Sequence, residues 1–374
     1  MSRTTGTALL VGFGGLRILS KDWLPQGPSL EANLMWGYVD SATEGWKEMM
    51  DIRSKLIKKL TLTPDVTGVS DLFDQETYDE MKVSHTGFPP IIWSLKLPQP
   101  LHEWEQAFRK AIPTQDVNEY QIVYDGRVIT YAQQVDLSLP FSPFSFVDVR
   151  TRILEILQAE FQPEVTPPNV AEGFLIAPSQ YETKFASFPV LFLPSIDNLT
   201  VKDTLARVYS FVNSDLCVFY ETCRVRGEVQ KTKFSIETSQ HAALKQLHDF
   251  LSSSWYDFRK RRRILNAIHR SVIDVLEMVS QYFELNASMK DGQSAIRDLM
   301  DSHIQFKNLM KQLGWLEYAD EPTLEMENVT HIAEHISSEV QTFISTTSNY
   351  RSALIGAVVG ALATLATSYF LHIV

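Results

Sequence analysis

The chain has 374 residues, of which 44% are hydrophobic and 21% charged, and its formal net charge at pH 7 is -11. This composition excludes a disordered chain and leaves room for two globular domains. An acidic chain is a poor general nucleic-acid binder, although a local basic patch can still bind phosphate. The only cysteines are Cys217 and Cys223. They fit neither a disulfide framework nor a structural zinc site, so we expect buried thiols in a reducing compartment.

Residues 1–195 predict a mixed α/β domain of the α+β class. Short apolar runs bounded by glycine and proline predict strands at Thr7–Phe13 and Pro90–Leu97, and apolar residues at helical spacing predict a helix over Ala42–Leu60. Two β-rich segments flank Asp125-Gly126, which predicts a hairpin with a tight turn. Further elements are expected as a helix at Phe146–Phe161 and strands at Gly173–Ala177 and Phe185–Leu193.

Residues 196–350 predict an all-α helical stalk, because the long stretch from Thr200 to Gln312 contains no proline. Thr200 and Asp203 form a capping-box pattern that opens the first helix. Gly227 and Gly292 each predict a break between helices. The later helices are expected at Thr238–Leu285, Gln293–Leu313 and Thr323–Tyr350.

The C-terminal segment, residues 352–374, contains no charged side chain. As a helix, its 23 residues would extend about 34 Å, enough to cross a hydrocarbon core of about 30 Å. We therefore expect residues 351–374 to form a transmembrane helix in contact with membrane lipid. No signal peptide is recognisable and Arg351 precedes the span, which predicts a tail-anchored, single-pass membrane protein with a cytosolic N-terminus.

This predicted span has a small face and a bulky face at helical spacing. The small face contains Gly356 and Gly360, whose spacing lets two helix backbones approach closely, and hydroxyl groups that can bond across the contact. We interpret it as a self-association or pore-lining face in a homo-oligomer. The alternatives are a chance spacing in an alanine-rich span, or hydroxyls that only hold helices together. The face comprises Gly356, Gly360, Thr364, Thr367 and Ser368.

One run of five basic residues interrupts the acidic chain: Arg259, Lys260, Arg261, Arg262 and Arg263. On a helix these residues spread around most of the circumference. They can form a solvated face with acidic partners. They can also bind a phosphate-bearing ligand, such as a nucleotide or oligonucleotide, held between this helix and the α/β domain.

Two further patterns resemble catalytic motifs. Arg263 with His269, and Arg297 with His303, have the spacing of some helical ribonucleases, but six residues on a helix leave the two side chains roughly 240° apart. His331-Ile-Ala-Glu334-His335 has the spacing of a zinc protease and would need a third ligand. We therefore expect no enzyme, no catalytic residue, no metal and no cofactor.

These observations give two hypotheses for function. In the first, the protein is a membrane effector: a cytosolic domain senses a ligand or partner, and packed C-terminal helices form an ion channel or a disruptive pore. In the second, it is a tether or adaptor that binds a cytosolic protein partner at the membrane without forming a pore.

Overall fold

The computed structural model describes residues 7–20, 44–74, 77, 88–97, 119–136, 147–168, 174–177, 190–192, 200–252, 258–316 and 318. Residues 1–320 form one compact unit and residues 321–374 form a second. All the described residues belong to the first unit. The predicted domain limits at residues 195 and 350 stay predictions.

The described unit contains eight strands and five helices within those ranges. The strands are β1 (Thr7–Ser20), β2 (Val66–Asp71), β3 (Ile91–Lys96), β4 (Glu119–Tyr124), β5 (Val128–Asp136), β6 (Phe161–Thr166), β7 (Phe174–Ala177) and β8 (Val190–Phe192). The helices are α1 (Glu44–Thr61), α2 (Val147–Gln158), α3 (Val201–Ser252), α4 (Phe258–Ser302) and α5 (Ile304–Gln312).

The strands form a single sheet in the order β2-β3-β4-β5-β1-β7-β8, and β6 also pairs with β1. Every pairing is antiparallel except that of β7 with β8. The long first strand is the centre of the arrangement, because it pairs with β5, β6 and β7. An antiparallel sheet combined with separate helices confirms the predicted α+β class.

Both faces of the sheet are buried, and side chains alternate between them as the period of two requires. In β4, Tyr120, Ile122 and Tyr124 join a core that includes residues of α1 and α2. The intervening Val123 joins a second core that includes residues of α3, α4 and α5. The sheet is therefore a middle layer, with α1 and α2 on one face and α3–α5 on the other.

The hairpin predicted around Asp125-Gly126 is present and joins β4 to β5. Gly126 has a φ of 95°, a left-handed conformation that glycine adopts without steric cost. The strand and helix predicted at Pro90–Leu97 and Ala42–Leu60 are confirmed as β3 and α1. Strands β2 and β6 were not predicted. In β6, Pro163 pairs with Ile18 of β1, although proline is disfavoured inside strands.

The helical region is a long antiparallel hairpin of α3 and α4. The Ser271 and Gln246 side chains lie 3.5 Å apart across it, and Gly292 packs directly on Thr222. The predicted helix Thr238–Leu285 is wrong, because α3 ends at Ser252 and a second helix, α4, begins at Phe258.

The breaks predicted at two glycines are also wrong, because α3 continues through Gly227 and α4 through Gly292. A Cβ on Gly292 would lie only 2.4 Å from Thr222 Oγ1, so this glycine permits the close approach of α3 and α4. Gly227 has open space around its Cα and is tolerated at a cost of about 1 kcal/mol relative to alanine. Predicted helix Thr323–Tyr350 lies outside the described residues.

Burial changes along this hairpin. The last buried side chains toward its tip are Ile236 on α3 and Val275 on α4, among the side chains that the structure describes. We call residues 228–237 and 274–284 the neck, and residues 238–252 and 258–273 the arm. None of the described arm side chains is buried. By about 1.5 Å per residue, each helix of the arm is about 23 Å long.

The predicted membrane localisation requires a correction. Among the described residues, no helix combines the length and the apolar composition needed to cross a membrane. The two longest helices carry charged, exposed side chains along their lengths. The predicted single-pass, tail-anchored localisation and the ion-channel and effector roles built on it are therefore withdrawn. The predicted span, residues 352–374, lies outside the described residues.

Candidate functional site

The predicted phosphate-binding run, Arg259–Arg263, begins α4 at the tip of the arm. Lys260 and Arg263 are exposed. Arg263 is 29 residues along α4 from Gly292, which packs beside the sheet-facing part of α3, so the two lie about 44 Å apart. The run and the sheet therefore do not share one site. The predicted association face, Gly356 to Ser368, lies outside the described residues.

The position of this run in its helix is electrostatically unfavourable. The first turn of a helix carries the positive end of the helix dipole, where carboxylates stabilise and cations destabilise. The first turn of α4 contains no acidic residue. Each exposed cation there costs typically 0.3–1 kcal/mol at low ionic strength. The interaction of the run with the helix dipole is therefore unfavourable, and an anionic partner would offset this cost.

The charge of the hairpin changes sign along its length. Residues 238–273 contain seven basic and two acidic residues, a formal net charge of +5, in a chain whose net charge is -11. The two neck segments contain five acidic and two basic residues, a formal net charge of -3. The arm is thus a basic extension on an acidic body.

A buried carboxylate fixes the sheet against α3. Asp125, which is 1% exposed, accepts hydrogen bonds at Oδ1 from the backbone N–H groups of Arg127, at 2.9 Å, and Val128, at 2.7 Å. At Oδ2 it accepts from Tyr209 Oη at 3.1 Å, from Asn213 Nδ2, and from Cys217 Sγ at 3.4 Å. Five donors satisfy this carboxylate, so we assign it a structural role.

A second polar cluster lies beside it. Arg127, in the turn between β4 and β5, contacts Glu221 at 3.3 Å. Arg224 contacts Glu221 at 2.6 Å and Glu228 at 2.5 Å. Burial acts to raise the pKa of Glu221, but the nearby charges of Arg127 and Arg224 outweigh it and lower the pKa to about 2. The Glu221 carboxylate thus stays ionised and joins α3 to the β4–β5 hairpin.

One polar pair reaches the protein surface. His303 Nδ1 lies 2.8 Å from the buried Asp215 Oδ2, and the imidazole is half exposed. Burial raises the pKa of Asp215, and the hydrogen bond with His303 partly opposes that rise. Phe211, four residues before Asp215 on the same face of α3, and Ile304, next to His303, are 50% and 63% exposed. The Asp215–His303 hydrogen bond therefore connects the start of α5 to α3, next to the exposed apolar side chains of Phe211 and Ile304.

Within the part of the chain that the structure describes, the catalytic patterns do not assemble into a site. His303 contacts Asp215, and Arg297 donates to the Gln293 carbonyl oxygen of its own helix at 3.4 Å. Residues 331–335 lie outside the described residues. Cys217 and Cys223 are free and buried, as expected, and burial raises the pKa of both thiols. In the described part of the chain, no three potential metal ligands cluster; the absence of a metal or cofactor stays a prediction.

Sequence patterns could locate the basic run, because it is contiguous. They could not identify Asp215 with His303, which are 88 residues apart. For Asp125, the sequence predicted only a position in a tight turn beside Gly126 and gave no sign of its burial against α3.

Comparison with protein-family models, curated proteins and solved structures found no match to this chain.

Proposed function

We propose that the protein is an adaptor in which a sheet-based body carries a two-helix arm, and that the basic tip of this arm binds a phosphate-bearing ligand. The main support for this proposal is the position of Arg259–Arg263: five consecutive basic residues at the start of α4, nearer the tip than any buried side chain that the structure describes in the hairpin. Guanidinium groups match phosphate geometry, which favours this ligand class.

The ligand should contain several phosphates. Successive residues of a helix point about 100° apart, so five consecutive cations cannot converge on one phosphate group. Pairs such as Arg259 with Arg263 share a face, and different pairs point in different directions. An oligonucleotide, which presents a row of phosphates, fits this distribution better than a single nucleotide does.

The test is binding of a fluorescently labelled single-stranded oligonucleotide to the full chain, measured by anisotropy at several salt concentrations. With three to five phosphate contacts, we expect log K to fall against log salt with a slope of about -2 to -3.5. Changing all five residues of Arg259–Arg263 to Gln should weaken binding about 100-fold at low salt.

The matched control changes five exposed lysines outside the hairpin to Gln, which alters the net charge equally. We expect it to weaken binding less than about threefold, since steering by net charge is a small, screened effect. Equal losses in the two variants, or no binding by the unaltered chain at low salt, would contradict the proposal. The control lysines are Lys47, Lys55, Lys58, Lys307 and Lys311.

The predicted protein partner of the adaptor stays part of this proposal. The surface around Phe211 and Ile304 is the best-supported position for it, since both side chains are large, apolar and exposed.

A further inference from the structure

The arm presents two helices whose described side chains are all at least partly exposed. Two helices bury only one stripe each against the other, whereas four helices enclose a common core. The sequence of the arm carries apolar residues on both helices, among them Leu244, Leu247, Ile264 and Ile268. An arm of this kind gains buried apolar area when it pairs with another two-helix hairpin.

The charge pattern determines which hairpin fits. Residues 238–273, which include the arm, have a formal net charge of +5, and the neck has -3. If two copies of this chain lie side by side in the same direction, basic arm meets basic arm and the charges repel. If they lie in opposite directions, the basic tip of each copy meets the acidic neck of the other.

We propose that two copies of this chain pair through their hairpins in antiparallel orientation, with the Arg259–Arg263 tip of each copy against the neck of the other. The neck supplies Glu237, Asp274 and Glu277, of which the last two are exposed. It also supplies Phe234, which is 70% exposed and offers an aromatic face to an arginine. The occupant of this surface is therefore a second copy of the chain, held by charge complementarity and by burial of Phe234.

The lengths of the two segments are compatible with this pairing. Gln246 of α3 lies opposite Ser271 of α4, so Asp274 and Glu277 lie near the level of residues 240–243 of α3, and the Arg259–Arg263 run lies just beyond the end of α3. The separation between these two levels is about 16 residues, or about 24 Å. A two-fold axis halfway between them, near residue 248 of α3, brings the basic run of one copy level with the acidic residues of the other. It also brings Ser252 of one copy close to the level of Lys245 of the other and holds the two Ser252 residues about 12 Å apart.

The pairing and the proposed phosphate binding use the same basic run. That run cannot contact neck carboxylates and a row of phosphates at once, so an added oligonucleotide is expected to dissociate the pair. The pairing itself does not depend on phosphate binding. Substitutions in the neck separate the two, because they change the pairing surface and leave the tip intact.

The test measures the mass of the full chain by sedimentation equilibrium. The tip variant carries Arg259→Glu, Arg261→Glu and Arg263→Glu, and the neck variant carries Glu237→Lys, Asp274→Lys and Glu277→Lys. We expect each variant to raise the dimer Kd about tenfold or more, and their combination in one chain to return it to within about threefold of the original. The neck variant should still bind the labelled oligonucleotide.

A chain that stays monomeric at about 100 μM and low salt overturns the proposal, as does a combined variant that pairs no better than either part. Orientation is read by mixing Ser252→Cys with Lys245→Cys under oxidising conditions, since both replaced side chains are exposed and the natural cysteines are buried. Antiparallel pairing predicts mainly mixed disulfides between the two variants. A predominance of disulfides within each variant would establish parallel pairing and contradict the proposal.

Discussion

The two ends of the α3–α4 hairpin differ in what surrounds them. Near the sheet, α3 is buried on several sides and holds ionised groups, Glu221 and Arg224, that are paired across elements. In the arm, the same helix continues with no buried described side chain and a net positive charge. A continuous helix can therefore serve as part of a core at one end and as an interaction surface at the other.

The comparison also shows how the cost of a charge depends on its position. Glu221 is buried, so it must be paired or the fold loses several kcal/mol. The arginines of the arm tip face water, where each unfavourable contact with the helix dipole costs under about 1 kcal/mol. Removing a charge from the buried part of the protein therefore costs much stability, whereas the arm can keep an unfavourable charge pattern at little cost and use it for binding.

The largest expected effect comes from removing the buried carboxylate at Asp125. Asp125→Ala leaves the donors from Tyr209 and Asn213 without their acceptor, and we expect a loss of about 3–5 kcal/mol in the free energy of unfolding. Asp249→Ala, in the exposed arm, is the matched control and should change it by less than about 0.5 kcal/mol. Urea unfolding measures both; similar losses would show that body and arm are equally sensitive.

A smaller and pH-dependent effect is expected at Glu221. Its pKa falls from 4.5 when unfolded to about 2 when folded, so its contribution is present above pH 4.5 and is lost as the pH falls through 2. The shift corresponds to about 3 kcal/mol. The stability difference between the unaltered chain and Glu221→Gln should therefore shrink by more than half between pH 6 and pH 3.

The control for this prediction is Glu277→Gln in the neck, where the carboxylate is exposed. Its stability difference from the unaltered chain should stay small and nearly constant over the same pH range. A constant difference for Glu221→Gln as well would mean that the arginines beside it do not hold it ionised.

Close helix packing gives the next prediction. Gly292→Ala places a methyl group 2.4 Å from Thr222 Oγ1, and we expect a loss of about 1–3 kcal/mol. Gly227→Ala, in the same hairpin, meets open space and should stabilise the protein by up to about 1 kcal/mol. Adding Thr222→Ala to Gly292→Ala should recover part of the loss. Thermal unfolding of the four chains would contradict this account if the two glycines behaved alike.

The smallest expected effect concerns the arm tip. Replacing Arg259 and Arg261 by Gln relieves repulsion with the helix dipole and should stabilise the first turns of α4 by about 0.5–1 kcal/mol in total. Hydrogen exchange of the α4 backbone amides tests this prediction. Exchange should become slower near residue 263 and should not change near Ile296, which lies in the core. Faster exchange at the tip would mean that these cations stabilise the helix through partners of their own.

Local patterns predicted those elements whose cause is local. The Asp125-Gly126 turn, the capping box of Thr200 with Asp203, and the apolar periodicity of α1 are each set by neighbouring residues. The capping box is present, with the Asp203 N–H donating to Thr200 Oγ1 at 3.1 Å. The breaks predicted at Gly227 and Gly292 failed because a glycine has two uses, as a helix terminator and as a point of close contact, and only the neighbouring helix distinguishes them.

By itself, the sequence determined the α+β class, the helical nature of most of residues 201–312 and the position of the basic run, because periodicity and charge are properties of consecutive residues. Only the tertiary structure decided that α3 and α4 fold back on each other, that Asp125 is buried under α3, and that Asp215 meets His303. Each of these depends on residues far apart in the chain, brought together when apolar surfaces of the sheet and helices are removed from water.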